Sequence, residues 1–183
     1  MKALKWRRLA PTIITKIDHR HIVVKTFALP HTNEQLTFAT YQLEGARAAG
    51  VIALTPDHMV ITARQFRHGP ERIMDEIAGG GVEDGEEPEA AARRELLEET
   101  GYMPGKLEFL GATCRDAYHN GTWFYYLATD CVPSPKGPKD DKKEPVEVRL
   151  LPISTFLRNA KRGDMTDPAA VLMAYDKLRA LAE

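Results

Sequence analysis

Between Glu83 and Glu99 the chain sets eight carboxylates against two arginines, and three of those carboxylates are spaced for chemistry. Glu95, Glu98 and Glu99 stand at i, i+3 and i+4, so on a helix they project from neighbouring points of one face. Residues 89–100 predict such a helix. Strong helix formers fill nearly every position after Pro88, no Gly or Pro interrupts them, and Gly101 follows where a left-handed C-terminal cap would sit. Like charges this close repel, each i,i+4 pair costing about 0.2–0.5 kcal/mol. A divalent cation relieves that repulsion. An open cluster of carboxylate oxygens suits a hard ion such as Mg2+, which keeps several waters and bridges carboxylates to substrate phosphates. The competing reading is a solvated acidic face paired with Arg93, Arg94 and distant lysines.

The residues around the cluster favour the metal. Gly79, Gly80 and Gly81 are expected to give conformational freedom where a strand turns sharply, and their lack of side chains lets a phosphate or metal approach the backbone. Arg94 lies four residues before Glu98 and is expected to hold that carboxylate in place, with Glu86 doing similar orienting work from the loop. The ordered set Gly80, Glu86, Arg94, Glu95, Leu96, Glu98, Glu99 and Gly101 resembles the signature of the Nudix hydrolases. Tyr102 is the one departure, standing where that family usually has an aliphatic residue.

The elements that must position this helix can be read on either side of it. Residues 13–17, 21–28 and 35–42 carry β-branched and aromatic runs and predict an N-terminal antiparallel unit. Residues 50–54 and 58–65 predict a hairpin across Thr55, Pro56 and Asp57, and 72–78 a strand leading into the glycines. Strands are expected at 107–115 and 122–129, separated by the polar turn 116–121, and again at 146–151. Helices are expected at 153–162 and from Asp167 and Pro168, as an N-terminal cap, through Leu181. Strands interleaved with helices predict an α/β domain whose sheet is covered on both sides.

Composition agrees with a soluble enzyme: 43% hydrophobic and 28% charged residues over 183 positions is ordinary globular usage. The net charge is −1, yet the span from Glu83 to Glu99 alone carries −6, so the remainder carries +5. An acidic spot needing a cation, in a mildly basic surround, suits a small anionic substrate such as a nucleotide and not a long nucleic acid. No stretch approaches the roughly 18 apolar residues of a membrane span, and the first eight residues lack the apolar run of a secretory leader. Cys114 and Cys131 fit neither a disulfide scaffold nor a zinc pattern, and are expected to be reduced thiols in the cytoplasm.

A wider resemblance, from about Trp6 to Leu178, is to the ADP-ribose and nucleotide-sugar pyrophosphatase branch of the Nudix family. It rests on Arg64 to His68, on the lead-in from Glu76 to Gly80, and on the C-terminal pattern. It implies an α/β/α sandwich with a mixed central sheet and an added N-terminal antiparallel strand unit. Residues 1–45 would then form the strand unit, in contact with the partner of a homodimer, and 46–183 the hydrolase domain. It also implies Mg2+-dependent cleavage, with Mn2+ as the alternative ion, of a nucleoside diphosphate linked to another group.

Residue by residue, the resemblance makes Glu95 and Glu99 metal ligands, Glu98 a ligand or orienting partner, and the Gly79 carbonyl an additional ligand. Gln65, Phe66 and Arg67 occupy a substrate-binding element, where the Arg67 guanidinium fork suits a phosphate. The proline-rich loop 133–145 would supply a further ligand, Glu144. The general base stays open among Asp141 or its neighbour Asp140, Glu147, and Glu98. Where some relatives carry a glutamate base, this chain has Lys142, which cannot serve in its charged state. A second departure follows the signature: the branch typically has a proline about 15 or 16 residues on, whereas this chain has none there and carries Tyr118, 16 residues after Tyr102, and a tyrosine near that offset is a mark of diadenosine polyphosphate hydrolases. With His119, Trp123 and Phe66 it is a candidate for stacking on a base. A non-catalytic nucleotide-binding module is disfavoured because no charged position of the signature is lost.

Overall fold

The computed structural model describes residues 4–17, 20–139 and 145–182. The chain divides into two compact units, Met1–Ala46 with Cys114–Thr122, and Arg47–Thr113 with Trp123–Glu183. The first holds the expected antiparallel sheet, β1 (Arg7–Ile17), β2 (Arg20–Ala28) and β3 (Gln35–Tyr41), in that order. β1 begins ahead of the expected Ile13, and its register against β2 shifts between Leu9 and Ile13. The sequence boundary near residue 45 did not anticipate that 114–122 returns to this unit. Hydrogen bonds explain the return. Asn120 Nδ2 donates to Thr40 Oγ1 at 2.9 Å and to the Gln42 carbonyl at 2.7 Å, and the Tyr41 N–H donates to the Tyr118 carbonyl at 2.9 Å.

The second unit contains β4 (Arg47–Leu54), β5 (Met59–Arg67), β6 (Arg72–Glu76), β7 (Ala78–Gly81), α1 (Pro88–Thr100), β8 (Tyr102–Met103), β9 (Lys106–Thr113), β10 (Thr122–Thr129), β11 (Val132–Pro133), β12 (Glu147–Pro152), α2 (Ile153–Arg162) and α3 (Pro168–Leu181). Its seven-stranded sheet runs β12-β5-β4-β10-β9, with β6 on β5 and β7 on β4. β4 sits at the centre and is buried from Ala49 to Leu54, as a strand covered on both faces must be.

Period-two alternation along β4 and β5 divides the core into two layers. Ala49, Val51, Ala53 and Ile61 pack with Ala91, Ala92 and Leu96 of α1. Ile52, Leu54 and Val60 pack on the opposite face with Phe156 of α2 and with Val171, Ala174 and Leu178 of α3. The α/β/α sandwich with a mixed sheet is therefore the observed fold. No helix among the described residues is long and apolar enough to cross a membrane.

Two local expectations are corrected. Gly79 to Gly81 do not form the sharp turn; they lie in β7, paired with Gly50 to Ala48 of β4, and none has a positive φ. Ile77, between β6 and β7, is where the chain passes from pairing with β5 to pairing with β4. Asp167 precedes α3 but makes no side-chain cap. Its carboxylate instead accepts from Thr166 Oγ1 at 2.9 Å and from the Tyr125 hydroxyl at 3.3 Å.

Candidate active site

α1 owes its limits to its ends. Pro88 starts it with a ring already set at helical φ. Gly101 ends it at φ 75°, where its N–H reaches the Leu97 carbonyl at 2.9 Å, a conformation only glycine takes without steric cost. The last turn is closed by the loop that follows β11. The Lys139 N–H donates to the Glu98 carbonyl and the Ser134 N–H to the Gly101 carbonyl, each at 2.7 Å. A Cβ at Gly101 would meet Pro138 N at 2.6 Å, so the close seating of this loop requires glycine there.

β7 lies beside α1, and the missing side chains of its glycines define the site. The Gly79 N–H donates to Glu99 Oε2 at 3.1 Å. A Cβ at Gly80 would stand 2.4 Å from Glu95 Oε1, so that carboxylate occupies the space a side chain would fill. Partial burial pushes Glu99 up to about 8, the Gly79 N–H opposes the shift, and the charge of Glu95 adds to it. Glu95 is raised as well, by burial first, against the pull of Arg94. Two partly buried carboxylates that resist ionisation beside each other are what a bound cation would relieve.

Arg94 does not hold Glu98. Its Nε donates to Glu86 Oε1 and its Nη2 to Glu86 Oε2, each at 3.0 Å. Nη1 reaches Glu95 Oε1 at 2.7 Å and Nη2 the Gly81 carbonyl at 2.8 Å. The i,i+4 expectation fails because the guanidinium extends towards β7 and the loop before α1, where it finds a bidentate acceptor. Glu86 is fixed further by the Glu83 N–H at 2.9 Å, and the Arg94 hydrogen bonds hold its carboxyl down to about 2. Glu98, half-exposed, has Lys139 Nζ at 3.6 Å from its Oε2. The described residues thus contain no ready-made group of three metal ligands; Glu95 and Glu99 come together, and Glu98 stands beside them on the same helix.

On β5 the alternation separates the expected substrate element. Gln65 and Arg67 follow Ile61 and Ala63 onto the face of the sheet that α1 covers, while Phe66 takes the other, exposed and edge-on to His68 at 5.4 Å. Arg67 Nε donates to Glu76 Oε2 at 2.7 Å, and its Nη2 bonds the same oxygen. Glu76 is fully buried and its Oε1 has no hydrogen-bond partner. In the sequence Glu76 stands only in the lead-in to the glycines, with no local pattern that marks a role. The signal that could have found it is register: Glu76 pairs with Ala63 across β5 and β6, which sets it on the same face of the sheet as Gln65 and Arg67.

Tyr118 belongs to the other unit, exposed, with its N–H on Asp116 Oδ1 at 2.7 Å. His119 Nδ1 lies near the backbone of Gly121. Trp123 packs in the core, stacked on Tyr125 with ring centroids 6.0 Å apart. Asp140, Asp141, Lys142 and Glu144 lie outside the described residues. Glu147 opens β12, paired in register with Arg64, whose Nη1 is 3.7 Å from its Oε2.

Residues 45–172 match the NUDIX domain family. An ADP-ribose pyrophosphatase of Bacillus subtilis is 50% identical over 60 residues, 33% of this chain and 32% of that protein. An ADP-sugar pyrophosphatase of Mus musculus is 36% identical over 101 residues, 50% of this chain and 46% of that one. An RNA pyrophosphohydrolase of Caulobacter vibrioides is 44% identical over 64 residues, 35% and 36% of the two chains. The chain thus spans less than half the length of these curated relatives. The crystal structure of an ADP compounds hydrolase superposes with a TM-score of 0.77 over 98% of this chain and 97% of that one, at 19% identity, a likeness of fold. With the family pattern running from 45 to 172 and its charged positions gathered where α1 meets β7, the chain belongs to the Nudix family.

Proposed function

We propose that this protein hydrolyses the diphosphate of a nucleoside diphosphate linked to another group, ADP-ribose or a related nucleotide sugar, giving AMP and a sugar phosphate. One observation carries the reading: Glu99, held by the Gly79 N–H, faces the charge of Glu95 in partial burial, and Glu95 in turn is held by the Arg94 that grips Glu86. The pyrophosphatase names of the relatives supply the reaction class.

Glu95 and Glu99 would hold Mg2+, or Mn2+ in its place, with the Gly79 carbonyl and Glu144 as further ligands. When bound, such an ion neutralises phosphate oxygens and lowers the pKa of water. The protein's own groups do the rest. Glu98 is the proposed acceptor of a proton from the attacking water, a reading supported by its being half-exposed and only loosely paired with Lys139, with Asp141 the alternative base. Gln65 and Arg67 lie on the same layer of the sheet, and the Arg67 guanidinium, already anchored on Glu76, is the proposed partner of a phosphate oxygen.

The proposed partner is a second copy of the chain, docked on the N-terminal sheet, where Ile13, Ile14 and Ile17 are exposed. The proposed location is the cytoplasm, in keeping with the reading of the cysteines as reduced thiols; Cys131 is buried, which pushes its thiol up to about 11. A substrate panel tests the function: ADP-ribose, other nucleotide sugars, dinucleoside polyphosphates and NADH, each with Mg2+ and with Mn2+. AMP release fastest from ADP-ribose or a nucleotide sugar is expected. Cleavage of dinucleoside polyphosphates alone would favour the Tyr118 signal, and no cleavage of any substrate would leave a binding module.

A further inference from the structure

The layer of the sandwich opposite α1 carries a cavity that the hydrolytic site does not use. It lies in the groove between α2 and α3, has a volume of about 530 Å3, and is lined by Ser154, Leu157, Arg158, Lys161, Tyr175 and Arg179 among others, with no carboxylate in its lining among the described residues. That volume falls within the roughly 300–1,000 Å3 of small-molecule sites. α2 contributes Arg158, Lys161 and Arg162 and has no acidic residue at all. Among the described residues neither Arg158 nor Lys161 is paired with a carboxylate. Arg158 Nη2 rests on Thr155 Oγ1 at 3.1 Å, and Lys161 Nζ stands 5.8 Å from the centre of the Tyr175 ring.

Two cations, Arg158 and Lys161, without a carboxylate partner among the described residues raise the local potential, and a concave wall focuses it. The spacing adds direction. Ser154 and Lys161 lie at opposite ends of the α2 wall, about 10 Å apart at the helical rise per residue, with Arg158 between them and Arg179 lining the same cavity from α3. A guanidinium fork beside an ammonium suits tetrahedral oxyanions. Leu157 and Tyr175 offer apolar surface to whatever the phosphoryl group is attached to.

We propose that the α2–α3 groove is a second binding site, for a small phosphorylated ligand, separate from the hydrolytic site on α1. The assignment does not depend on the hydrolase reading, since it rests on residues of the other layer.

Isothermal titration of the full chain with inorganic pyrophosphate and with AMP, in EDTA, tests it. The chelator keeps divalent ions from the acidic site, so phosphate binding there is opposed by Glu95 and Glu98. Wild-type protein is expected to bind one equivalent, and the exposed double variant Arg158→Ala/Lys161→Ala to bind at least roughly tenfold more weakly. Tighter binding of AMP would mark a nucleoside phosphate as the ligand, and tighter binding of pyrophosphate a bare polyphosphate; either upholds the site. Amide NMR shifts on titration are expected on α2 and α3. Equal affinity of the double variant, no binding of either probe, or shifts confined to β7 and α1 would overturn it. Hydrolysis with Mg2+ by the double variant at the wild-type rate separates the two sites.

Discussion

Arg94 grips Glu86 through both carboxylate oxygens, Nε to Oε1 and Nη2 to Oε2, each at 3.0 Å. The same guanidinium reaches Glu95 at 2.7 Å, so the loop before α1 is tied to a proposed metal ligand by one side chain. A planar fork makes that three-way contact and an ammonium cannot. Arg94→Lys should therefore keep the charge and lose the alignment, with kcat/KM for the Mg2+-dependent reaction falling by about 10–100-fold, the usual cost of removing a group that orients a ligand. An unchanged kcat/KM would show that Glu95 is positioned by other contacts.

The same pair sets an acid limit. Arg94 holds Glu86 down to about 2 from an ordinary 4.5, so the unfolded chain takes up this proton first as pH falls. The stabilisation is whole above about 4.5 and is lost as pH drops towards 2. Urea unfolding across that window should show stability falling with pH in the wild type, and a shallower fall in Glu86→Gln.

Glu99 behaves in the opposite sense. Its carboxyl is pushed up to about 8 from 4.5, so without metal the folded state holds the proton longer than the unfolded one. The contribution to stability is whole below 4.5 and disappears as pH rises through about 8. In EDTA, Glu99→Gln should flatten the decline in stability across that range. Because a metal needs the carboxylate ionised, the rise in Tm produced by Mg2+ should be larger above about 8 than near 4.5. A Mg2+ effect independent of pH would remove Glu99 from the ligand set.

The three glycines of β7 separate folding from function. A Cβ at Gly79 would meet the Ala49 carbonyl oxygen at 2.6 Å, one at Gly80 would meet Glu95 Oε1 at 2.4 Å, and one at Gly81 nothing within 4 Å. Ala49 is backbone of the central strand and cannot move, so Gly79→Ala should cost about 1–3 kcal/mol of stability. The Glu95 carboxylate can swing aside, so Gly80→Ala should keep most of the stability and lose metal affinity and activity. Gly81→Ala should change neither. Thermal melts and Mg2+ titrations of the three variants read this order directly.

α1 and its functional face were legible in the sequence because local rules set them: helix formers, Pro88 and Gly101 at the ends, and three glutamates on one face. Most strands were legible from β-branched runs and turn residues. The glycine run was misread because its composition signals a turn, whereas its purpose is room for Glu95 beside an extended strand. The Arg94 contact is not legible, because i,i+4 proximity on a helix carries no information about the loop carboxylate of Glu86 folded back over it. The return of 114–122 to the N-terminal sheet depends on Asn120 reaching Thr40 and Gln42, and contacts that distant in sequence leave no periodic trace.

Glu76 is legible only through the register of β6 on β5, and it carries the largest expected stability effect. Its carboxylate is fully buried, and Oε2 takes two hydrogen bonds from Arg67 while Oε1 has none. Removing one partner of such a pair leaves the other uncompensated, at about 3–5 kcal/mol, whereas replacing both by apolar groups of similar volume is close to neutral. Arg67→Ala should therefore lower stability by roughly 3 kcal/mol, and Arg67→Met/Glu76→Leu should recover most of it. Activity distinguishes the roles. If Arg67 also contacts substrate phosphate, the double variant will be stable yet show a raised KM for ADP-ribose. A stable double variant with wild-type KM would confine the pair to holding β5 and β6 together.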